Sequence, residues 1–276
     1  MNLPEHELHL WCARDADCTP ELLALWRSWM NDEERARADR FYFERDRHQF
    51  TLTRGLLRAT LSAYAAPHAQ IAPAAWRFGK EAKGRPYLLN DLPPALQGLD
   101  FNLSHTQGMV LLGLARHLRF GVDTENYLQR PAPLEIINNY FSPLEVQALQ
   151  ALPPAQQGER FFHYWTQKEA FIKAEGTGLG LPLEKFGLDY GPGRAVQLCF
   201  WQDLVEAPQD WRSWLWRDVR ADGGTDGFLL ALCMVGGMPA LRAFASVPGV
   251  SSAPQTLSLL RCPSAWTHAA DWPEAV

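Results

Sequence analysis

The chain has 276 residues, of which 47% are hydrophobic and 21% charged, and it carries a formal net charge of −5 at pH 7. This apolar content supports a sizeable buried core and excludes an intrinsically disordered chain. The acidic balance argues against a general nucleic-acid-binding protein, although local basic clusters can still bind a small anion. Five cysteines are scattered without the spacing of a zinc site, which indicates reduced thiols.

The first part of the chain predicts a strand, several helices and then short strands. Alternating polar and apolar residues predict a strand at Glu5–Trp11, and a threonine followed by a proline predicts the start of a helix at Glu21–Met30. An arginine-rich helical stretch follows over residues 32–64, with a break near Phe43. Short strands are then predicted at Trp76–Gly79, Pro86–Leu89, Asp100–Leu103 and Met109–Ala115.

The second part again places helices before antiparallel strands. Its predicted elements are a strand at Phe120–Glu125, helices at Leu134–Tyr140, Pro143–Leu152 and Glu159–Glu175, and strands at Phe186–Tyr190, Ala195–Trp201, Trp211–Val219 and Phe228–Val235. This repeated order predicts an α+β protein of two similar lobes that meet near residues 115–125. We expect lobes at residues 1–116 and 117–237, and a weakly structured tail at 238–276.

Nothing in the sequence predicts an exported or membrane-bound protein. The N-terminal segment lacks the basic and apolar regions of a secretion signal. The longest apolar stretch, Phe228–Leu241, is interrupted by two glycines and a proline and is too short to span a bilayer. We therefore expect a cytoplasmic protein that contacts no membrane.

Asp123 and Glu125 are one residue apart within a predicted strand. Alternate side chains of a strand share a face, so these carboxylates repel each other unless a cation or protons lie between them. Oxygen ligands at this spacing suit Mg²⁺, which typically binds substrate phosphates as well. The alternative is a strand with one solvated face.

A second candidate group lies on the predicted helix Glu159–Glu175. Glu169 and Lys173 are four residues apart and are therefore neighbours on the helix surface. The simple alternative is a surface ion pair, but aromatic residues crowd both ends of this pair. A carboxylate and an ammonium among core residues need partners, which a metal ion and a phosphate would supply.

Two more groups suit an anion. Ser104 and His105 end a predicted strand, where they either donate hydrogen bonds to phosphate oxygens or cap a turn. Arg85 directly precedes another strand. Three arginines share one face of the long helix and suit phosphate oxygens, or else form a solvated surface: Arg47, Arg54 and Arg58.

The motifs occur together in a characteristic order: GRP at 84–86, FNLSH at 101–105, GVDTE at 121–125, FSPLE at 141–145 and WTQKEAFIKAEGTGLGLPLEKF at 165–186. This set resembles the Sfp-like, surfactin-synthetase-activating group of the 4′-phosphopantetheinyl transferase superfamily, over about residues 5–235. The resemblance implies a pseudo-dimer of two α+β lobes, each a three-stranded antiparallel sheet packed with a long helix. Coenzyme A would lie in the cleft between the lobes, and the protein would be a monomer.

The resemblance also implies an activity. Members transfer the 4′-phosphopantetheine arm of coenzyme A to a serine of an apo acyl or peptidyl carrier protein, releasing adenosine 3′,5′-bisphosphate. By position, Asp123, Glu125 and Glu169 would be the Mg²⁺ ligands. Lys173 would contact the phosphates and assist the leaving group, and Glu169 would be the candidate base for the carrier serine.

The coenzyme A contacts carried over from the family are Ser104, His105 and Arg85, completed by Arg47 or Arg54. Lys168 would only frame the site. Because carrier proteins are usually acidic and this chain has net charge −5, we expect the carrier to dock on a local basic or apolar patch, around Tyr140–Leu149.

Two other functions remain open at the level of sequence. A Mg²⁺-dependent pyrophosphatase of coenzyme A or a related nucleotide would use the same carboxylates and basic residues, with water in place of the serine. A non-catalytic protein that binds coenzyme A or a carrier would be expected to lack one of the carboxylates, yet all three are present. The sequence does not distinguish among the carriers of fatty acid, polyketide and non-ribosomal peptide biosynthesis.

Overall fold

The computed structural model describes residues 1–176, 178–201, 205, 208–220 and 222–263. They form two compact units. Unit 1 combines Met1–His117 with Pro239–Gln255, and unit 2 combines Leu118–Met238 with the residues from Thr256 onward. Each unit contains a sheet and a 22-residue helix, which confirms the predicted α+β class.

The elements of the first part of the chain are β1 (Glu7–Arg14), α1 (Pro20–Trp29), α2 (Asp32–Asp39), α3 (Glu44–Ala65), β2 (Phe78–Lys80), β3 (Pro86–Leu88), β4 (Leu99–Thr106), β5 (Met109–Arg116) and β6 (Arg119–Asn126). Those of the second part are α4 (Ile137–Tyr140), α5 (Pro143–Gln150), α6 (Pro154–Glu175), β7 (Phe186–Tyr190), β8 (Val196–Phe200), β9 (Trp211–Asp218), β10 (Phe228–Val235), β11 (Ala240–Val247), β12 (Ser251–Pro254) and β13 (Leu257–Arg261). The predicted break near Phe43 is confirmed, because it separates α2 from α3.

Local sequence explains where several helices begin and end. The Thr19 side chain accepts a hydrogen bond from the Leu22 amide at the start of α1, as its predicted capping role requires. Ser142 and Glu145 form a reciprocal capping box at the start of α5. The helix α6 ends at Gly176, whose φ of 75° lies in the left-handed region that favours glycine.

The sheet of unit 1 has the strand order β12-β11-β1-β5-β4. All neighbours are antiparallel except β1 and β11, which pair in parallel from Glu7↔Ala240 to Cys12↔Ala245. The helix α3 packs on this sheet, and their shared core includes Trp11 and Tyr64. The strands β2 and β3 form a separate hairpin.

The main sheet of unit 2 is antiparallel throughout, with the order β13-β9-β10-β6. The helix α6 lies against β6 and β10, and the core beneath it is rich in phenylalanine. A β7–β8 hairpin covers another part of the same core, through Phe186 and Leu198. The sheet and helix of unit 2 therefore bring β6 and α6, which carry the predicted metal ligands, into direct contact.

Two features differ from the expectation. The sheets have five and four strands rather than three, and the sheet of unit 1 is mixed rather than antiparallel. The extra strands come from the segment predicted as a tail: β11 and β12 complete the sheet of unit 1, and β13 extends that of unit 2. The last thirteen residues of that segment, 264–276, lie outside the described residues.

No helix in the described part of the chain is long and apolar enough to cross a membrane. The interrupted apolar stretch at Phe228–Leu241 forms β10, a central strand of the unit 2 sheet, and continues into the start of β11. Its hydrophobicity is explained by burial in the protein core.

Candidate active site

The strand β6 and the helix α6 lie in direct backbone contact at Gly121. A side-chain Cβ at this position would overlap the carbonyl oxygen of Ala170 and the amide nitrogen of Ala174. Only glycine leaves room for the helix to lie this close to the strand. Asp123 follows two residues later and therefore points to the same, helix-covered face of the sheet.

Four predicted residues meet where β6 faces α6. The Lys173 ammonium donates a hydrogen bond to Asp123 Oδ1 at 2.7 Å, from the helix to the strand, and the Asp123 carboxylate is buried. Glu125 lies two residues after Asp123 on the same face of β6, and its carboxylate pairs with the Arg130 guanidinium at 3.3 Å. We call Asp123, Glu125, Glu169 and Lys173 the β6–α6 site.

The carboxylates of the β6–α6 site influence one another electrostatically. Burial raises the pKa of Glu169 to about 7; the negative charges of Asp123 and Glu125 add to this shift, and Lys173 opposes it. Burial and the charge of Asp123 also raise the pKa of Glu125, against the opposing effect of Arg130 and Lys173. Three carboxylates thus share one partly buried region, as the family resemblance implied.

The chemistry of this donor set, although not its present arrangement, fits a divalent cation. Carboxylate oxygens are the ligands that Mg²⁺ prefers, and a cation would relieve the repulsion that, after burial, helps to raise the pKa values of Glu125 and Glu169. Among the described residues, no group of three or more His, Cys, Asp or Glu side chains has the arrangement of a metal centre. In this structure the positive charge next to Asp123 is the Lys173 ammonium.

Lys168, one residue before Glu169, has a structural role. Its ammonium lies 2.7 Å from Glu145 Oε2 and donates a second hydrogen bond, also 2.7 Å long, to the Phe186 carbonyl; both charged side chains are fully buried. Burial lowers the pKa of Lys168, and the charge of Glu145 opposes this. The ion pair connects α6 to α5, and the hydrogen bond to Phe186 connects α6 to β7. Together they fix the position of the helix.

Arg54 lies in a pocket of unit 1. Its guanidinium is 3.4 Å from Glu34 Oε1 and stacks near the rings of Phe50 and Phe78, and burial lowers its pKa against the opposing charge of Glu34. Arg58, predicted on the same helix face, is fully buried and donates to Glu34 Oε2 at 2.6 Å. Other residues around this pocket include Arg37 and Lys80.

The remaining predicted contacts also lie in unit 1. Arg47 donates to the Phe41 carbonyl at 3.3 Å. Arg85 pairs with Asp100 at 2.5 Å, and burial raises the pKa of that carboxyl while Arg85 opposes the shift. Ser104 and His105 end β4, where the first is buried and the second exposed.

Sequence reasoning missed three cationic side chains next to these groups. Arg130 follows the GVDTE motif by five residues, but nothing in its spacing indicates that the loop returns it to Glu125. Arg37 and Lys80 line the pocket of Arg54 although they come from α2 and β2. The arginine-rich composition of α2 was the available signal, but it does not identify which arginine faces the pocket.

Replacing Gly121 by alanine is expected to lower the rate of a reaction at the β6–α6 site by about 10- to 100-fold, because displacement of reacting groups by about 1 Å has effects of this size. The added methyl group meets the backbone of α6, which cannot rotate away as a side chain would. Gly237→Ala is the matched control, since open space surrounds a Cβ there. Rates and thermal unfolding midpoints of both variants check this; wild-type activity in Gly121→Ala contradicts it.

Comparison with known proteins identifies the family. Two family models match: "4′-phosphopantetheinyl transferase superfamily" over residues 119–233 and "4′-phosphopantetheinyl transferase, N-terminal" over residues 17–116. The 4′-phosphopantetheinyl transferase HetI of Nostoc is 35% identical over 214 residues, which are 76% of this chain and 86% of that protein. The chain belongs to the 4′-phosphopantetheinyl transferase superfamily.

A second curated relative agrees with this membership. The 4′-phosphopantetheinyl transferase Sfp of Bacillus subtilis is 34% identical over 161 residues, covering 58% of this chain and 66% of that protein. Among solved structures, the holo-[acyl-carrier-protein] synthase of Thermotoga maritima matches 43% of this chain and 64% of its own, with a TM-score of 0.35 and 21% identity. The predicted resemblance to 4′-phosphopantetheinyl transferases is confirmed, and with it the prediction that the protein is an enzyme, a transferase.

Proposed function

We propose that this transferase moves the 4′-phosphopantetheine arm of coenzyme A to a serine of an apo acyl or peptidyl carrier protein, releasing adenosine 3′,5′-bisphosphate, in a Mg²⁺-dependent reaction. The observation that carries the proposal is the β6–α6 site, in which three carboxylates and an ammonium share one partly buried region. The superfamily match over residues 119–233 contains all four residues. The identity of the transferred group, 4′-phosphopantetheine, is taken from the names of the relatives.

Asp123, Glu125 and Glu169 would hold the Mg²⁺ ion. When bound, such an ion polarises phosphoryl oxygens and neutralises the negative charge that develops as the bridging bond of a pyrophosphate breaks. Lys173 would add a second positive charge at the phosphates and stabilise the departing 3′,5′-bisphosphate. Its short contact with Asp123 keeps its ammonium inside the site before substrate arrives.

Glu169 is the proposed general base for the carrier serine. It shares the β6–α6 site with the other two proposed metal ligands, where the phosphates of coenzyme A would bind, so the attacking serine would come close to its carboxylate. The carboxylate would accept the hydroxyl proton as the serine oxygen attacks phosphorus. Lys168 takes no part in this step, since its ammonium is fully buried against Glu145.

The basic and polar residues of unit 1 are the proposed coenzyme A contacts: Ser104, His105, Arg85, and Arg47 or Arg54. Bidentate guanidinium pairing suits phosphate oxygens. Arg54 has the better support of the last two, because two further cations, Arg37 and Lys80, line the same pocket. Arg85 would have to exchange its ion pair with Asp100 for a phosphate.

The proposed carrier-binding patch is apolar rather than basic. Tyr140, at the end of α4, is exposed and packs edge-on against Trp165. A pocket close in sequence to it is lined by apolar residues and uncharged amides: Phe141, Pro143, Val146, Ala151, Asn138, Gln147 and Gln150. We further propose that the enzyme acts as a cytoplasmic monomer without nucleic-acid or membrane partners; the carrier's pathway is left open.

The proposal is tested by the intact mass of a purified apo carrier protein after incubation with the enzyme, coenzyme A and Mg²⁺. We expect the carrier to gain the mass of the phosphopantetheine arm, and EDTA to prevent the gain. Release of the bisphosphate without modification of fatty acid, polyketide or peptide carriers would instead identify a pyrophosphatase. Coenzyme A binding without turnover would identify a non-catalytic binding protein.

Replacing Lys173 by alanine is expected to lower the turnover number by about 100-fold, a typical effect of losing a charge that stabilises the transition state. The KM for coenzyme A should rise less than the turnover number falls, because the unit 1 contacts are untouched. Lys185→Ala, which removes a lysine of unit 2 outside the β6–α6 site, serves as the control. Steady-state kinetics with varied coenzyme A checks this, and a defect confined to KM would contradict the leaving-group role.

A further inference from the structure

Arg119 connects the first residue of β6 to the end of α6. Its Nε donates to the Ala174 carbonyl at 3.0 Å, and its Nη2 donates to the Glu175 carbonyl at 2.9 Å. The same Nη2 also forms an ion pair of 2.5 Å with the Glu175 carboxylate. The guanidinium carbon lies 5.4 Å from the centre of the Trp211 ring, at cation–π distance.

These contacts satisfy backbone groups that a helix cannot satisfy itself. The last four carbonyls of an α-helix have no partner within the helix, and the helix dipole makes this end attractive to a cation. Gly176 follows immediately and bends the chain away, so the carbonyls of Ala174 and Glu175 need donors from elsewhere. Arg119 supplies both from the neighbouring strand.

The position of Arg119 relates this cap to the β6–α6 site. Alternate residues of a strand share a face, so Arg119, Gly121, Asp123 and Glu125 all point towards α6. Arg119 holds the last turn of the helix, and Gly121 allows the backbone of the preceding turn to rest on the strand. Lys173 directly precedes the capped residue Ala174 and reaches Asp123.

We propose that Arg119 is a positioning residue: its bonds to the end of α6 set the register of that helix along β6, and so the distance of Glu169 and Lys173 from Asp123 and Glu125. The catalytic part of this inference rests on the proposed function. A lysine would not replace the arginine, because a single ammonium lacks the planar fork that reaches two carbonyls and stacks on Trp211.

The test compares Arg119→Met with Glu175→Gln in the full-length chain. Methionine keeps an apolar stem beside Trp211 but removes every donor to the helix end. Glutamine at 175 removes the carboxylate charge of the ion pair and leaves both carbonyl contacts in place. Arg119→Lys is the third variant. Hydrogen exchange of residues 171–176, calorimetric Mg²⁺ binding and steady-state kinetics are measured well below each unfolding midpoint.

We expect Arg119→Met to speed exchange at the end of α6, and to lower both the turnover number and Mg²⁺ affinity by about 10-fold, the usual size of effects on groups that orient metal ligands. The KM for the carrier should stay close to wild type, and Arg119→Lys should not rescue. Glu175→Gln should match wild type throughout.

Unchanged turnover and Mg²⁺ affinity in Arg119→Met would overturn the inference, even if that variant unfolds at lower temperature, because the cap would then only stabilise the fold. Equally large losses of turnover and Mg²⁺ affinity in Glu175→Gln would also overturn it. They would show that the ion pair, and not the bonds to the two carbonyls, is responsible. Should the wild type modify no carrier, the proposed function fails. Even then, hydrogen exchange at the end of α6 and Mg²⁺ binding, neither of which needs a carrier, decide whether Arg119 positions the helix.

Discussion

Asp123→Ala is expected to lower phosphopantetheine transfer by about 1,000-fold or more, since metal-assisted stabilisation of phosphoryl oxygens is worth several kcal/mol. Asp123 is buried, lies on the strand face that contacts α6, and holds the Lys173 ammonium at 2.7 Å. Its loss removes a proposed metal ligand and also releases the lysine. The fold should persist, because Lys173 is partly exposed and can be solvated.

The measurement is the initial rate of carrier modification over a range of Mg²⁺ concentrations, with circular dichroism to verify folding. Glu169→Ala should show a loss of similar size, as it removes both a proposed ligand and the proposed base. The matched control is Asp189→Ala, which deletes an exposed carboxylate of β7 in the same unit. Near-normal rates in both Asp123→Ala and Glu169→Ala at ordinary Mg²⁺ would refute the ligand assignment.

Glu145→Ala is expected to have the largest effect on stability, lowering the free energy of unfolding by about 3–5 kcal/mol, as is typical when one partner of a buried ion pair is removed. The carboxylate accepts hydrogen bonds from the Ser142 amide, the Ser142 hydroxyl and the Leu188 amide, besides the ion pair with Lys168. Alanine leaves a buried ammonium without its counter-charge.

Urea unfolding of the wild type and the variant measures this difference. A double variant, Glu145→Leu with Lys168→Met, should recover much of the lost stability, since apolar side chains of similar volume avoid an unpaired buried charge. Asp222→Ala, which breaks an ion pair with the exposed Arg220, is the control and should change stability little. A loss below about 1 kcal/mol for Glu145→Ala would show that water or another group solvates Lys168.

Each half of the β6–α6 site could be predicted because local periodicity determines which side chains share a face. Two carboxylates at a spacing of two on a strand, and a carboxylate and an ammonium at a spacing of four on a helix, share faces whatever the rest of the fold does. The family resemblance then indicated that these two faces meet. Gly121 explains how they come so close, but a single glycine in a strand pattern does not reveal what its missing side chain would touch.

Other features depend on contacts between residues distant in sequence. Glu145 and Lys168 belong to recognised motifs, yet their burial against each other becomes visible only once α5, α6 and β7 are packed together. The sequence leaves Arg54 as either a phosphate contact or a solvated arginine of α3, and its pairing with Glu34 of α2 becomes visible only in the folded structure. Sequence spacing carries no information about either pairing.

The strand β11 was missed for a different reason. Its sequence, ALRAFASV, alternates weakly because alanine and serine occupy many positions, and its burial is intermediate at most of them. Its partner β1 lies more than two hundred residues earlier, so no turn between them indicates the pairing. This segment forms a strand because it can pair with the backbone of β1, and not because its residues have a high intrinsic strand propensity.

The parallel pairing of β1 with β11 has a consequence for biosynthesis. Unit 1 is discontinuous: the ribosome makes its first 117 residues, then most of unit 2, and only afterwards the segment that covers the edge of β1. Until that segment emerges, β1 presents unpaired backbone groups, which are a template for pairing with other chains. The N-terminal unit therefore cannot complete its fold during its own translation, and a nascent chain that ends before β11 is the aggregation-prone species.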